Sequence, residues 1–120
     1  MARGDTTRTA RVAELVRIKV ASALTTAFSD PRLQGIVVTR VEVTADLQIA
    51  RVFVRTSDSH DEQAREQMMR GLKAASPRLR RMVAQALDLR RAPELRFQFD
   101  SGIDAADRIE ELLRDIKSGR

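Results

Sequence analysis

The 120-residue chain contains no cysteine, tryptophan or tyrosine and only one histidine. The missing cysteines exclude disulfide frameworks, thiolate metal sites and cysteine nucleophiles. His60 falls in a polar stretch before a predicted helix, where a lone imidazole is a surface group rather than a general base. Glycine-rich phosphate loops, metal-ligand spacings and nucleophile motifs are also missing. Glu110 and Glu111 are adjacent, but helical neighbours point about 100° apart and share no site. Together these absences predict a protein that is not an enzyme and needs no cofactor or metal. Apolar runs of about eighteen residues are lacking, so no membrane partner is expected. Met1 to Asp5 lead into a polar start without an apolar core for export, which predicts a cytoplasmic location.

What is present in excess is arginine. The formal net charge is +5, and it is unevenly placed. Residues 1–64 carry a net +1, residues 65–99 a net +6 and residues 100–120 a net −2. Lysine occurs only at positions 19, 73 and 117. A guanidinium presents a rigid donor fork that matches phosphate better than an ammonium does. A coding bias towards arginine would give the same composition, and a basic helix is more often a solvated face than a binding site.

The patterning predicts a single domain over residues 1–120. Val12, Leu15, Val16, Val20, Ala23, Leu24, Ala27 and Phe28 form a helical stripe. A first helix over about 7–28 follows, with Asp5, Thr6 or Thr7 as cap and Asp30-Pro31 as stop. Ile36–Thr44 and Gln48–Arg55 are β-branched runs joined by Thr44-Ala45-Asp46-Leu47, a hairpin pattern. Strict alternation puts Val37, Thr39, Val41 and Val43 on one face of the first strand. It sets Ala50, Val52 and Val54 against Ile49, Arg51, Phe53 and Arg55 on the second.

Ser59 and Glu62 read as a capping box opening a second helix, with Ala64, Met68, Leu72 and Ala75 inward. Ser76-Pro77 then breaks that helix and starts a third, with Ser76 as cap and Pro77 at the first helical position. Leu79, Met82, Val83, Ala86 and Leu87 are its apolar stripe. Pro93–Asp100 is a strand with Leu95, Phe97 and Phe99 on its core side, which argues against a base-stacking sheet built on those rings. Ile109, Leu112, Leu113 and Ile116 mark a final helix. The expected order is α-β-β-α-α-β with a C-terminal helix.

Arg78, Arg81 and Gln85 fall away from the apolar stripe, and Arg70 and Lys73 lie opposite Met68 and Leu72. Arg80 flanks the stripe, placed to snorkel over the core edge. A helix start at Ser76-Pro77 would add free N–H groups for phosphate. Glu94 is either an orienting partner for a guanidinium such as Arg90 or a solvent-exposed edge charge.

Three stretches resemble the bacterial ribosome-binding factor A family: Asp30-Pro31-Arg32, Val43 to Val52, and Leu89-Arg90-Arg91-Ala92-Pro93-Glu94-Leu95-Arg96-Phe97. The likeness runs from about Arg8 to Ile116. It implies an α+β, type II KH-like domain with helices on one face of a mixed three-stranded sheet. It also implies a noncatalytic, monomeric assembly factor for the 30S subunit that contacts 16S rRNA, assists maturation of its 5′ end and supports growth in the cold. The family carries Ala-x-Gly between its central helices; here Ala75 and Ser76 match, and Pro77 replaces the glycine. Arg80 and Arg90 match basic positions of the family, while Arg78, Arg81 and Arg91 follow from charge and helical phase. The candidate RNA-binding set is therefore Arg70, Lys73, Ser76, Pro77, Arg78, Arg80, Arg81, Arg90 and Arg91. An adaptor that docks on ribosomal proteins without touching RNA is the alternative.

Overall fold

The computed structural model describes residues 2–56, 61–88 and 90–100, with side chains from residue 7 onward. Helix α1 spans Ala2–Thr26, and a single 3-10 turn, Pro31–Leu33, follows it. Strands β1 (Val37–Val43) and β2 (Ile49–Arg55) precede helix α2 (Glu62–Leu87) and strand β3 (Glu94–Phe99). The sheet order is β1-β2-β3, with β1 antiparallel and β3 parallel to β2. A parallel neighbour needs a long crossover, and α2 provides it. Val16 and Val20 of α1, Leu72, Leu79 and Val83 of α2, and Ala50, Val52, Val54 and Leu95 of the sheet form one buried cluster. Both helices therefore cover the same face of a mixed three-stranded sheet, the KH-like α+β arrangement. Ser59, His60 and the expected last helix lie outside the described residues.

Four local expectations are corrected. Helix α1 runs back through Asp5, Thr6 and Thr7 to Ala2, so none of the three caps it. Nor does Asp30 abut its far end: it caps the 3-10 turn by accepting from Arg32 N–H at 2.9 Å. The cap of α2 is Asp61, whose carboxylate accepts from the N–H groups of Gln63 and Ala64 at 2.9 and 3.3 Å.

The third correction concerns β1. A bulge between Val38 and Arg40 adds one unpaired residue, Thr39. An extra residue reverses the alternation. Val38 pairs with Val54 above the bulge, and Val41 and Val43 pair with Val52 and Ala50 below it, all facing the helices. Val37 is left outside, 52% exposed. The Thr39 hydroxyl lies within hydrogen-bond reach of the Phe53 carbonyl and the Asp100 carboxylate.

The fourth correction is the largest. Residues 62–87 form one α-helix, with Pro77 inside it. Proline denies the Lys73 carbonyl its usual partner and crowds the preceding turn. The helix nevertheless continues because Gly71, Leu72, Ala75, Leu79 and Val83 are buried along one unbroken line through both halves. Pro77 and Lys73 sit on the exposed side, where water can reach the freed carbonyl. Burial outweighs local propensity here.

Candidate nucleic-acid interface

Between Glu66 and Asp88 the crossover helix carries Arg70, Lys73, Arg78, Arg80 and Arg81 and no carboxylate. Arg70, Lys73, Pro77 and Arg81 recur at three- and four-residue spacing opposite the buried line, so they form one outward stripe. Arg70, Lys73 and Arg81 are exposed and make no side-chain hydrogen bond or ion pair among the described residues.

The other two helical arginines are committed. The Arg78 guanidinium lies 5.0 Å from the centre of the Phe28 ring, which ties α2 to the end of α1. Arg80 reaches the opposite way: its Nε and Nη2 donate to the Ala92 carbonyl at 3.3 and 3.0 Å. Arg78 and Arg81 are both exposed on one helix, but Arg78 has a ring contact and Arg81 does not. Arg80 stiffens the α2–β3 connection, the core-edge placement expected of it.

That connection borders a groove of about 610 Å³ lined by Arg80, Arg90, Arg91, Glu94 and Arg96, with the hairpin turn opposite. Arg90 and Arg91 are exposed and make no side-chain hydrogen bond or ion pair among the described residues. Glu94 pairs with Arg96, Nε to Oε2 at 2.9 Å, and not with Arg90. The guanidinium of Arg96 holds the Glu94 carboxyl below its ordinary range. Across the groove, the Thr44 hydroxyl and the Gln48 N–H donate to Asp46 at 2.7 and 3.1 Å, which lowers the Asp46 pKa as well. Both carboxylates are thus occupied, and the groove presents a surplus of guanidinium groups. Leu47, at φ 62°, takes the left-handed conformation to bring the chain round.

Ser76 and Pro77 do not behave as expected. No helix starts there, so no free N-terminal N–H groups point outward. Ser76 is half-buried beside Lys73, Met69, Leu95 and Phe97 in a cleft of about 180 Å³. Among the described residues no three His, Cys, Asp or Glu side chains come together to hold a metal ion. Of the nine candidate residues, the structure gathers Arg80, Arg90 and Arg91 in the groove and Arg70, Lys73 and Arg81 on the stripe. Sequence reasoning missed Arg96, although its place between core-facing Leu95 and Phe97 already marks it as outward.

Asp30-Pro31-Arg32 has a packing role. Arg32 donates to both carboxylate oxygens of Asp30, which lowers the aspartate pKa and keeps the turn closed. The turn rests against α2 at Gly71, where an added Cβ would come within 2.9 Å of Arg32 Cβ and 3.1 Å of Leu33 Cδ2.

Comparison with known proteins gives one answer. The profile of Ribosome-binding factor A matches residues 8–113. A ribosome-binding factor A of Sorangium cellulosum is 50% identical over 117 residues, covering 97% of this chain and 94% of the relative. That of Thermomicrobium roseum is 40% identical over 113 residues, covering 94% and 86%. The crystal structure of ribosome-binding factor A from Thermus thermophilus superposes with a TM-score of 0.66 at 27% identity, covering 76% of this chain and 93% of that one. A T. thermophilus homology model fitted into the cryo-EM map of a complex with the 30S subunit gives 0.59 at 25% identity, covering 88% and 100%. A helix-covered mixed sheet, a hairpin and an arginine-lined corner thus meet a match over nearly the whole chain, and the protein belongs to the ribosome-binding factor A family.

Proposed function

We propose that this chain is a noncatalytic assembly factor that binds the 30S ribosomal subunit as a monomeric, single-domain protein and contacts 16S rRNA. The observation that carries the reading is the set of uncommitted cations: Arg70, Lys73 and Arg81 on the stripe and Arg90 and Arg91 at the groove. Exposed cations without internal partners suit a phosphate backbone. The T. thermophilus relative fitted into a 30S complex supports the choice of subunit. Assistance with maturation of the 16S 5′ end and a role in growth in the cold belong to the same reading and rest on the family resemblance. A cytoplasmic location follows from the partner.

Sedimentation with purified 30S subunits across a salt series tests it. Arg70→Ala with Arg81→Ala, and separately Arg90→Ala with Arg91→Ala, should weaken binding. Each lost phosphate contact should reduce the slope of log affinity on log salt by about 0.7–0.9. A wild-type slope in both double variants overturns the phosphate role and favours docking on a ribosomal protein.

A further inference from the structure

Both helices cover one face of the sheet, and among the described residues no element covers the other. Its residues follow from the register. Arg40, Phe53 and Gln98 lie side by side across the three strands, then Glu42, Arg51 and Arg96; Arg55 pairs with Val37 at one end and Ile49 with Glu94 at the other. Four arginines face two glutamates. Each glutamate is already matched: Arg40 Nε lies 3.6 Å from Glu42, and Arg96 Nε 2.9 Å from Glu94. Arg51 and Arg55 are exposed and make no side-chain hydrogen bond or ion pair among the described residues.

Between these two arginines, on the same face of β2, stands Phe53, and the Arg40 guanidinium lies over its ring at 4.0 Å from the centroid. Nothing in the core requires that stack, since the inward face is closed by Ala50, Val52 and Val54. The stack puts an aromatic ring and a guanidinium together on this face, with the Arg40 side chain 39% exposed. Unpaired nucleic-acid bases stack on aromatic rings and on guanidinium planes. The flanking arginines, about 13 Å apart at roughly 3.3 Å per strand residue, suit phosphates about two nucleotides apart with the stacked base between them.

We propose that the open face of the sheet is a single-stranded-RNA surface, with the Arg40–Phe53 stack as the base platform and Arg51 and Arg55 as phosphate contacts. It stands on the opposite side of the sheet from α2, so it is separate from the helical stripe and its failure would leave the stripe's role intact. A duplex, whose bases are already stacked, offers nothing to the platform. A single strand does.

The test is fluorescence anisotropy of the whole protein with a labelled single-stranded oligoadenylate of about ten nucleotides, within the usual range of single-strand site sizes. A duplex of the same length is the comparison. Wild-type protein should bind the single strand more tightly than the duplex. Phe53→Leu should lose about fivefold or more, the lower end of what a removed stacking partner costs. Arg51→Gln with Arg55→Gln should lower the salt slope by about 1.4, the single-strand value for two contacts. This pair also decides the matter if Phe53→Leu does not fold. Arg70→Ala with Arg81→Ala should lower single-strand affinity less than either sheet variant does.

Equal binding of duplex and single strand, or unchanged affinity in the sheet variants, overturns the proposal. Loss of single-strand binding only in the α2 variants does so too, while upholding the stripe. Sheet variants that keep oligonucleotide affinity but lose 30S binding would assign the face to a protein partner and equally overturn it.

Discussion

Gly71 shows how one residue can decide the fit between two elements. In a helix interior, alanine is worth about 0.8–1 kcal/mol more than glycine from backbone entropy alone. At this position the added methyl meets Arg32 Cβ at 2.9 Å, inside contact distance. Forcing a methyl into a closed contact costs about 1–3 kcal/mol. Gly71→Ala should therefore destabilise the protein by about 1 kcal/mol net, read from urea melts, despite the propensity gain. Asp30, on the same turn, sets part of the acid limb. Its pKa is lowered by Arg32, so its contribution is complete above the ordinary aspartate range and is lost as pH falls through the lowered value. Asp30→Asn should lower stability at neutral pH and flatten the decline below pH ~4, where the wild type loses the same contribution. Stability measured by denaturant across that range checks it.

At the scale of elements, α2 is where sequence and structure part. Pro77 reads locally as a helix start, because a serine before it and an apolar stripe after it satisfy every local rule. What the local rules omit is the continuous line of buried residues from Met68 to Val83, which lies in one phase through the proline. That phase is present in the spacing of Leu72, Ala75 and Leu79, but its energetic weight depends on α1 and β3 lying against it. Inside a continuous helix, Pro77 opposes the fold instead of starting an element. With a helix-interior proline about 3 kcal/mol less favourable than alanine, Pro77→Ala should raise stability by about 1–3 kcal/mol. Calorimetry should show a higher Tm, and a lower one would mean that the proline holds a contact the helix needs. The bulge in β1 escapes for a similar reason. Alternation is visible in sequence, but a single inserted residue such as Thr39 shows itself only against the partner strand.

Across the whole molecule, the legible parts are those written in apolar periodicity: the hairpin, the buried faces of β2 and β3, and helices on one side. The candidate site is legible as a charge excess but not as geometry. Which arginines are spent internally depends on contacts between distant segments, Arg78 with Phe28 and Arg80 with Ala92. Helical phase alone treats Arg78 and Arg81 alike; the fold separates them. The order of the sheet also ranks its backbone. Because β2 is paired on both sides, its amides should be the slowest of the strands in native-state hydrogen exchange, with those of β1 facing away from β2 the fastest. Uniform protection across the three strands would contradict that ranking.

The parallel pairing of β2 with β3 bears on how the chain is made. The β1–β2 hairpin closes over a short turn and can form as soon as residue 55 has left the ribosome that synthesises it. Its second neighbour, β3, ends at residue 99 and arrives only after the whole of α2. Throughout that interval β2 carries an open row of backbone donors and acceptors, and contacts this distant in sequence form slowly. Helix α2 is thus also a delay line. While it is being translated, the nascent chain offers an unfinished sheet edge, and its exposure to strand pairing with other chains lasts until Phe99 is in place.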